Sequence, residues 1–164
     1  MDYTVRPALT KDLDVIEAIY ARARVFMEQT GNPTQWGTNH PPHDQLVQDI
    51  LEKNLYVITN QETIHGVFYF HIGEDPTYKT IYEGSWRADS LYGTIHRIAG
   101  DGSGSILKTA VAYAEQQISH LRIDTHQDNL VMQNALRKQA FSRRGIIYIE
   151  DGTPRIAYDK ILTK

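Results

Sequence analysis

Apolar positions along the chain follow two spacings, about 3.6 residues and about 2, and the switches between them mark the elements. Tyr3 to Arg6 reads as a short strand closed by Pro7. Thr10 is placed as an N-cap, with Asp12 and Asp14 in the turn that follows. Leu13, Ile16, Ile19, Tyr20, Ala23 and Met27 share one helical face, so residues 11–29 read as an amphipathic helix ended by Gly31. Residues 31–43 form a proline-rich loop around Gln35-Trp36-Gly37. Asp44 is expected to cap a second helix carrying Leu46, Val47, Ile50 and Leu51.

Leu55 to Thr59 and Ile64 to Ile72 read as a hairpin turning at Asn60-Gln61-Glu62-Thr63. Residues 73–90 form a long aromatic loop with Tyr78, Tyr82 and Trp86. Leu91 to Ala99 is a strand, and Ile106, Leu107, Ala110, Val111, Ala114 and Ile118 mark a third helix. Leu121 to Thr125 is a strand, and Asp128 or Asn129 starts a fourth helix with Met132, Ala135 and Leu136. Ile146 to Ile149 and Ile156 to Ile161 are strands joined near Asp151-Gly152, a hairpin signal. Strand, turn, helix and strand over 91–125 make one βαβ unit, hence one parallel pair with a right-handed crossover. The hairpins make the rest antiparallel. The fold class is mixed α/β, a mostly antiparallel sheet with helices on both faces, in a single domain over residues 1–164.

Gly100, Gly102 and Gly104 sit between the apolar strand and the third helix. Glycine permits positive φ and close backbone approach. A helix that opens after such a turn offers unpaired N–H groups and its positive dipole end, which suits a phosphate or pyrophosphate. The plainer reading is a strand-to-helix turn.

Composition narrows the partners. The net charge of −3 gives no reason to expect nucleic acid or an anionic membrane. No apolar run approaches the roughly 20 residues of a membrane span, and Met1 to Arg6 lacks the apolar stretch of a signal peptide. Without cysteine there is no disulfide, Cys-zinc site or thiol nucleophile, which fits a cytoplasmic protein. A nucleophile elbow, a G-x-G-x-x-G dinucleotide turn and a Walker A loop all fail on the letters around Ser103. His40 and His43 have metal spacing, but the pair alone is a weak signal and no metal is expected.

Element order and residues together resemble the GCN5-related N-acetyltransferase (GNAT) superfamily over nearly the whole chain. Thr4-Val5-Arg6-Pro7-Ala8 with Asp12-Leu13 and Ile16 is similar to the family's opening. Gly102-Ser103-Gly104-Ser105-Ile106-Leu107 resembles its pyrophosphate loop, and Asp128-Asn129 with Phe141 resembles its late strand–helix–strand element. The resemblance implies a V-shaped opening between strands 91–99 and 121–125 that takes acetyl-CoA. Backbone at Ile98 and Ala99 would pair with the pantetheine amides. N–H groups of Gly102, Gly104 and Ser105 would hold the pyrophosphate, with Gly100 and Ser103 completing the turn. Asn129 would lie near the thiol end. Chemistry in the family is direct attack of an amine on the thioester.

The chain departs from the family pattern at three places. The loop's usual Arg or Gln falls at Ala99, unless the register shifts to Arg97-Ile98-Ala99-Gly100-Asp101-Gly102 and moves the helix start by two residues. Asp101 brings a negative charge to the turn. The tyrosine that protonates the thiolate falls at Leu136, and the glycine before Phe141 is Ala140.

His96 and His126 are the candidate general bases, since neutral imidazole suits an amine nucleophile; the alternative is that each is a hydrogen-bonded structural residue. Strand alternation puts Arg122, Asp124 and His126 on one face, where Asp124 would fix the tautomer of His126. Trp36, Tyr78 and Trp86, in loops, are the candidate acceptor-binding residues, with Asp75 or Glu83 to hold a cationic amine; the alternative is that the rings pack the loops onto the sheet. The expected activity is transfer of acetyl from acetyl-CoA to a primary amine of a small molecule or peptide. The alternative is a non-catalytic acyl-CoA or small-ligand binding module on the same fold. Either leaves a homodimer open.

Overall fold

A computed structural model describes residues 2–162. Seven strands form one sheet: β1 (Thr4–Pro7), β2 (Leu55–Asn60), β3 (Thr63–Ile72), β4 (Gly93–Gly100), β5 (His120–Thr125), β6 (Ser142–Tyr148) and β7 (Pro154–Ile161). The helices are α1 (Leu13–Gln29), α2 (His43–Leu51), α3 (Ile106–Gln117) and α4 (Leu130–Lys138). Spatial order is β1-β2-β3-β4-β5-β7-β6, and only β4 and β5 run parallel. No helix among the described residues is long and apolar enough to cross a membrane.

The sheet is buried on both faces. Ile16, Ile19 and Tyr20 of α1 pack with Leu46 and Ile50 of α2 onto Leu55, Val57 and Val67. On the opposite face, Ala110, Val111 and Ala114 of α3 and Leu136 of α4 meet Ile58, Phe68, Ile95 and Ile123. The small alanines bring α3 close to the strands. Ile106 seats its first turn where Gly66 and Gly100 lack a side chain; a Cβ there would lie 2.8 and 2.6 Å from Ile106. Leu136 is fully buried in this second core. Leu136→Ala is expected to cost about 2–5 kcal/mol, read as a lower urea midpoint with unchanged slope.

Several boundaries differ from the sequence expectation for local reasons. Thr10 opens a short 3-10 turn instead of capping α1. Asp12 holds that entrance, accepting from the Leu9 N–H at 2.8 Å and from Arg6 at 2.8 Å. Asp44 lies inside the first turn of α2, whose N-cap is Pro42. β4 starts at Gly93 because Leu91 faces solvent. β6 starts four residues earlier than its apolar run, because its pairing with β7 carries a bulge between Arg143 and Gly145 that breaks the alternation.

Candidate active site at the splayed strands

β4 and β5 pair only at Gly93↔Leu121 and Thr94↔Arg122. Beyond Thr94 they diverge, so the β5-facing edge of β4 loses its partner strand over Ile95 to Gly100. A cavity of about 370 Å³ occupies the mouth of this V. Ile98 to Gly100 form its floor, with Phe26 and Met27 of α1, Leu107 of α3 and Met132 of α4 as apolar walls.

A β-bulge shapes the floor. Val67 pairs with Ala99 but Tyr69 with His96, so β4 carries one extra residue at Arg97–Ile98. Arg97 takes the left-handed φ of 48°. The bulge resets the alternation: Ile95 and Ile98 pack toward α3, while Ala99 joins the core under α1. Three contacts pin it. Tyr20 O–H donates to the Arg97 carbonyl at 2.6 Å, the Arg97 guanidinium reaches Asp49 at 2.8 Å, and the same group lies 4.5 Å from the Tyr69 ring centre.

The glycine turn closes the cavity's outer end. α3 opens at Ile106, with Ser105 before it at φ 63°. The first N–H groups of a helix have no intrahelical partner, and here Gly104, Ile106 and Leu107 line the cavity. Asp101 is turned away and compensated. Its carboxylate meets His65 Nδ1 at 2.7 Å and accepts from the Ser103 N–H at 3.0 Å and from the Ser103 hydroxyl. Burial pushes the Asp101 carboxyl up, but Ser103 and His65 outweigh it and hold the group below its usual value. Ser103 is thereby consumed inside the turn. In place of an arginine at Ala99, Arg22 arrives from α1: a Cβ on Gly102 would lie 2.7 Å from its Nη2. Arg22 makes no ion pair among the described residues.

The turn and cavity bring together six of the expected cofactor residues: Ile98, Ala99, Gly100, Gly102, Gly104 and Asn129. Asn129 is the N-cap of α4. Its Oδ1 accepts from the Met132 N–H at 3.0 Å and its Nδ2 donates to Gln35 Oε1 at 3.0 Å.

The two histidines fare differently. His96 stands two residues past the last β4–β5 pair, at the apex of the V. Its Nε2 lies 2.8 Å from Asp75 Oδ2, and its Nδ1 lies 3.7 Å from Asp124. Asp124 is steadied by the Tyr78 hydroxyl, which donates to it at 2.7 Å. Burial pushes the Asp75 carboxyl up, but His96 and Thr77 more than offset it and hold Asp75 well below the carboxylate range. His126 lies past the end of β5, where the chain turns into α4. Its Nδ1 accepts from the Asp128 N–H at 3.0 Å, and its Nε2 faces Thr34 at 3.3 Å. Burial, and then Arg155, push its pKa down. Its lone pair is therefore spent on the turn. The expected pairing of Asp124 with His126 gives way to Asp124 with His96, because strand alternation stops at Thr125.

Trp36 is buried edge-on against Tyr20 between α1 and the sheet. Tyr78 is buried, and Trp86 donates its indole N–H to the Tyr78 carbonyl at 2.9 Å. Tyr78 and Trp86 thus fasten the 73–90 loop over β5, β7 and β6 and line a second cavity there. Arg22 and the bulge escape a reading of the chain alone. Arg22 sits among exposed helix residues, and a bulge is set by the partner strand. No group of three or more His, Asp or Glu placed to hold a metal occurs among the described residues.

No protein-family model and no curated protein matches the chain. Solved structures do. The GNAT-family acetyltransferase of Streptococcus agalactiae 2603 is 28% identical, with a TM-score of 0.87 over 99% of this chain and 96% of that one. A putative acetyltransferase from Staphylococcus aureus Mu50 is 19% identical, with a TM-score of 0.70 over 98% and 99% of the two chains. The putative acetyltransferase yncA of Salmonella typhimurium, solved with its cofactor acetyl-CoA, is 14% identical, with a TM-score of 0.61 over 99% and 95%. At the two lower identities the likeness is one of fold.

Proposed function

We propose that the chain is an acetyltransferase of the GNAT superfamily, on its likeness to the Streptococcus agalactiae protein, and that it transfers the acetyl group of acetyl-CoA to a primary amine of a small molecule or peptide. One observation carries this reading: an open strand edge, an apolar cavity and a helix start free to bind an anion lie in line along β4. The unpaired edge of β4 past Thr94 suits the amides of pantetheine, as a partner strand would. The apolar cavity suits its methylenes, and the N–H groups of Gly104, Ser105 and Ile106 suit the diphosphate.

Acetyl-CoA supplies an activated thioester. The amine nitrogen bonds to its carbonyl carbon, the C–S bond breaks, and the amine's proton must leave. His96 is placed to receive that proton. With Nε2–H donated to Asp75, the lone pair stays on Nδ1, which lies 3.7 Å from Asp124. Leu136, buried in the core, offers no proton to the departing thiolate.

Arg22 takes the place that Ala99 leaves without a cation. Arg22→Ala is expected to weaken CoA binding roughly fivefold at low salt, as for a solvent-exposed charge-assisted contact, with the difference shrinking as salt is added. Calorimetric titration at two ionic strengths checks it. The whole reading is tested by incubation with acetyl-CoA and an amine panel, following free thiol. Absence of CoA binding at millimolar ligand overturns it. Tight binding without transfer to any amine selects the non-catalytic acyl-CoA module instead.

A further inference from the structure

The second cavity, about 430 Å³, lies under the 73–90 loop, against the paired end of β4 and β5. At its base stands Arg122, a residue only 5% exposed. The guanidinium is stacked between two rings, 4.1 Å from the Trp86 centre and 4.0 Å from the Tyr92 centre. Its Nη2 donates to the Ala88 carbonyl at 2.9 Å, and its Nε is buried with no acceptor among the described residues. Two neighbours on the same face share that state. Thr94 Oγ1, across from Arg122 in β4, and His120 Nε2, two residues before it in β5, are also buried without a partner.

Charge is out of balance here as well. Asp159, across from Arg122 in β7, is fully buried, and its oxygens are taken by Arg87 at 2.6 Å and approached by Arg144 at 3.7 Å. Arg122 makes no ion pair of its own among the described residues. The acids on the cavity's rim do not correct this: Glu74 is paired with Lys79 at 3.6 Å, and Asp89 is exposed to solvent. A buried guanidinium cannot shed its charge by losing a proton. It requires a counter-anion, and Tyr78, Trp86 and Tyr92 line the cavity beside it.

We propose that this cavity binds a small aromatic carboxylate, with the carboxylate on Arg122 and the ring among Trp86, Tyr92 and Tyr78. The proposal stands apart from acetyl transfer. Inorganic phosphate would satisfy the charge but not the ring walls, and a neutral aromatic would do the reverse.

The test is titration of the full chain with benzoate, methyl benzoate and inorganic phosphate, by calorimetry and by the indole N–H resonance of Trp86. Benzoate is expected to bind once per chain and to shift that resonance, with methyl benzoate and phosphate each at least about tenfold weaker for want of the charge-assisted or the ring contact. Arg122→Met is expected to abolish benzoate binding while thermal unfolding stays cooperative. If that variant does not fold, the comparison of acid with ester decides alone. No saturable benzoate binding up to about 20 mM, beyond the millimolar range of weak complexes, overturns the proposal. So does equal affinity for ester or phosphate, or benzoate binding that survives in a folded Arg122→Met chain.

Discussion

His96→Gln is expected to lower kcat for acetyl transfer by about 10²- to 10⁴-fold, the range for losing a positioned general base. Affinity for CoA should stay within about twofold, since His96 lies at the apex of the V and not in the turn that meets the diphosphate. Glutamine keeps polarity and approximate size, so the split between kcat and binding isolates the proton acceptor. Asp75→Asn sharpens the test. Asp75 accepts from Nε2 at 2.8 Å and so leaves the lone pair on Nδ1. An asparagine there donates to Nε2 as readily as it accepts, which moves the ring proton to Nδ1 and blinds the base. A large fall in kcat with KM for acetyl-CoA unchanged is expected for both. Retention of more than half the wild-type kcat in His96→Gln would remove His96 from the chemistry.

The contacts that set His96 and the glycine turn are visible in the linear chain only in part. The glycine turn was legible because its three glycines interrupt two clear apolar periods, and the helix does begin where the Ile106 stripe begins. The parallel pair at 91–125 followed from the same switch of period. What stayed hidden depends on distant partners. Asp101 reads as an obstacle to an anion until His65 of β3 is seen against it. His126 and His96 look equivalent until the turn after β5 spends the lone pair of one and Asp75 orients the other. The loop aromatics carry no periodicity, so the chain alone did not say that Tyr78 would reach Asp124 across the sheet. Local propensity marks turns and faces; which charges face each other is decided by the register of strands far apart in sequence.

The other large effect is expected at the turn itself. Gly104 has a φ of +90°, and a Cβ there meets no atom within 4 Å. Space is therefore free, and only backbone conformation opposes a side chain, at about 1–2 kcal/mol for a non-glycine residue in that region. Gly104→Ala reports this strain alone and should weaken CoA binding by about tenfold or less, as strain of that order allows. Gly104→Glu adds a carboxylate at the N-terminal end of α3, beside the N–H groups of Ser105 and Ile106. It supplies from within the chain the anion that this helix end favours, and it repels a diphosphate at close range. Loss of CoA affinity by at least about 100-fold is expected for Glu, well beyond the alanine value, because repulsion and competition for the N–H groups act together. Thermal unfolding of both variants should differ little from each other, since the position is open to solvent. Equal affinities of Gly104→Glu and Gly104→Ala for CoA would mean that the turn is only a turn, and that the anion-binding role assigned to it and to Arg22 has to be given up together.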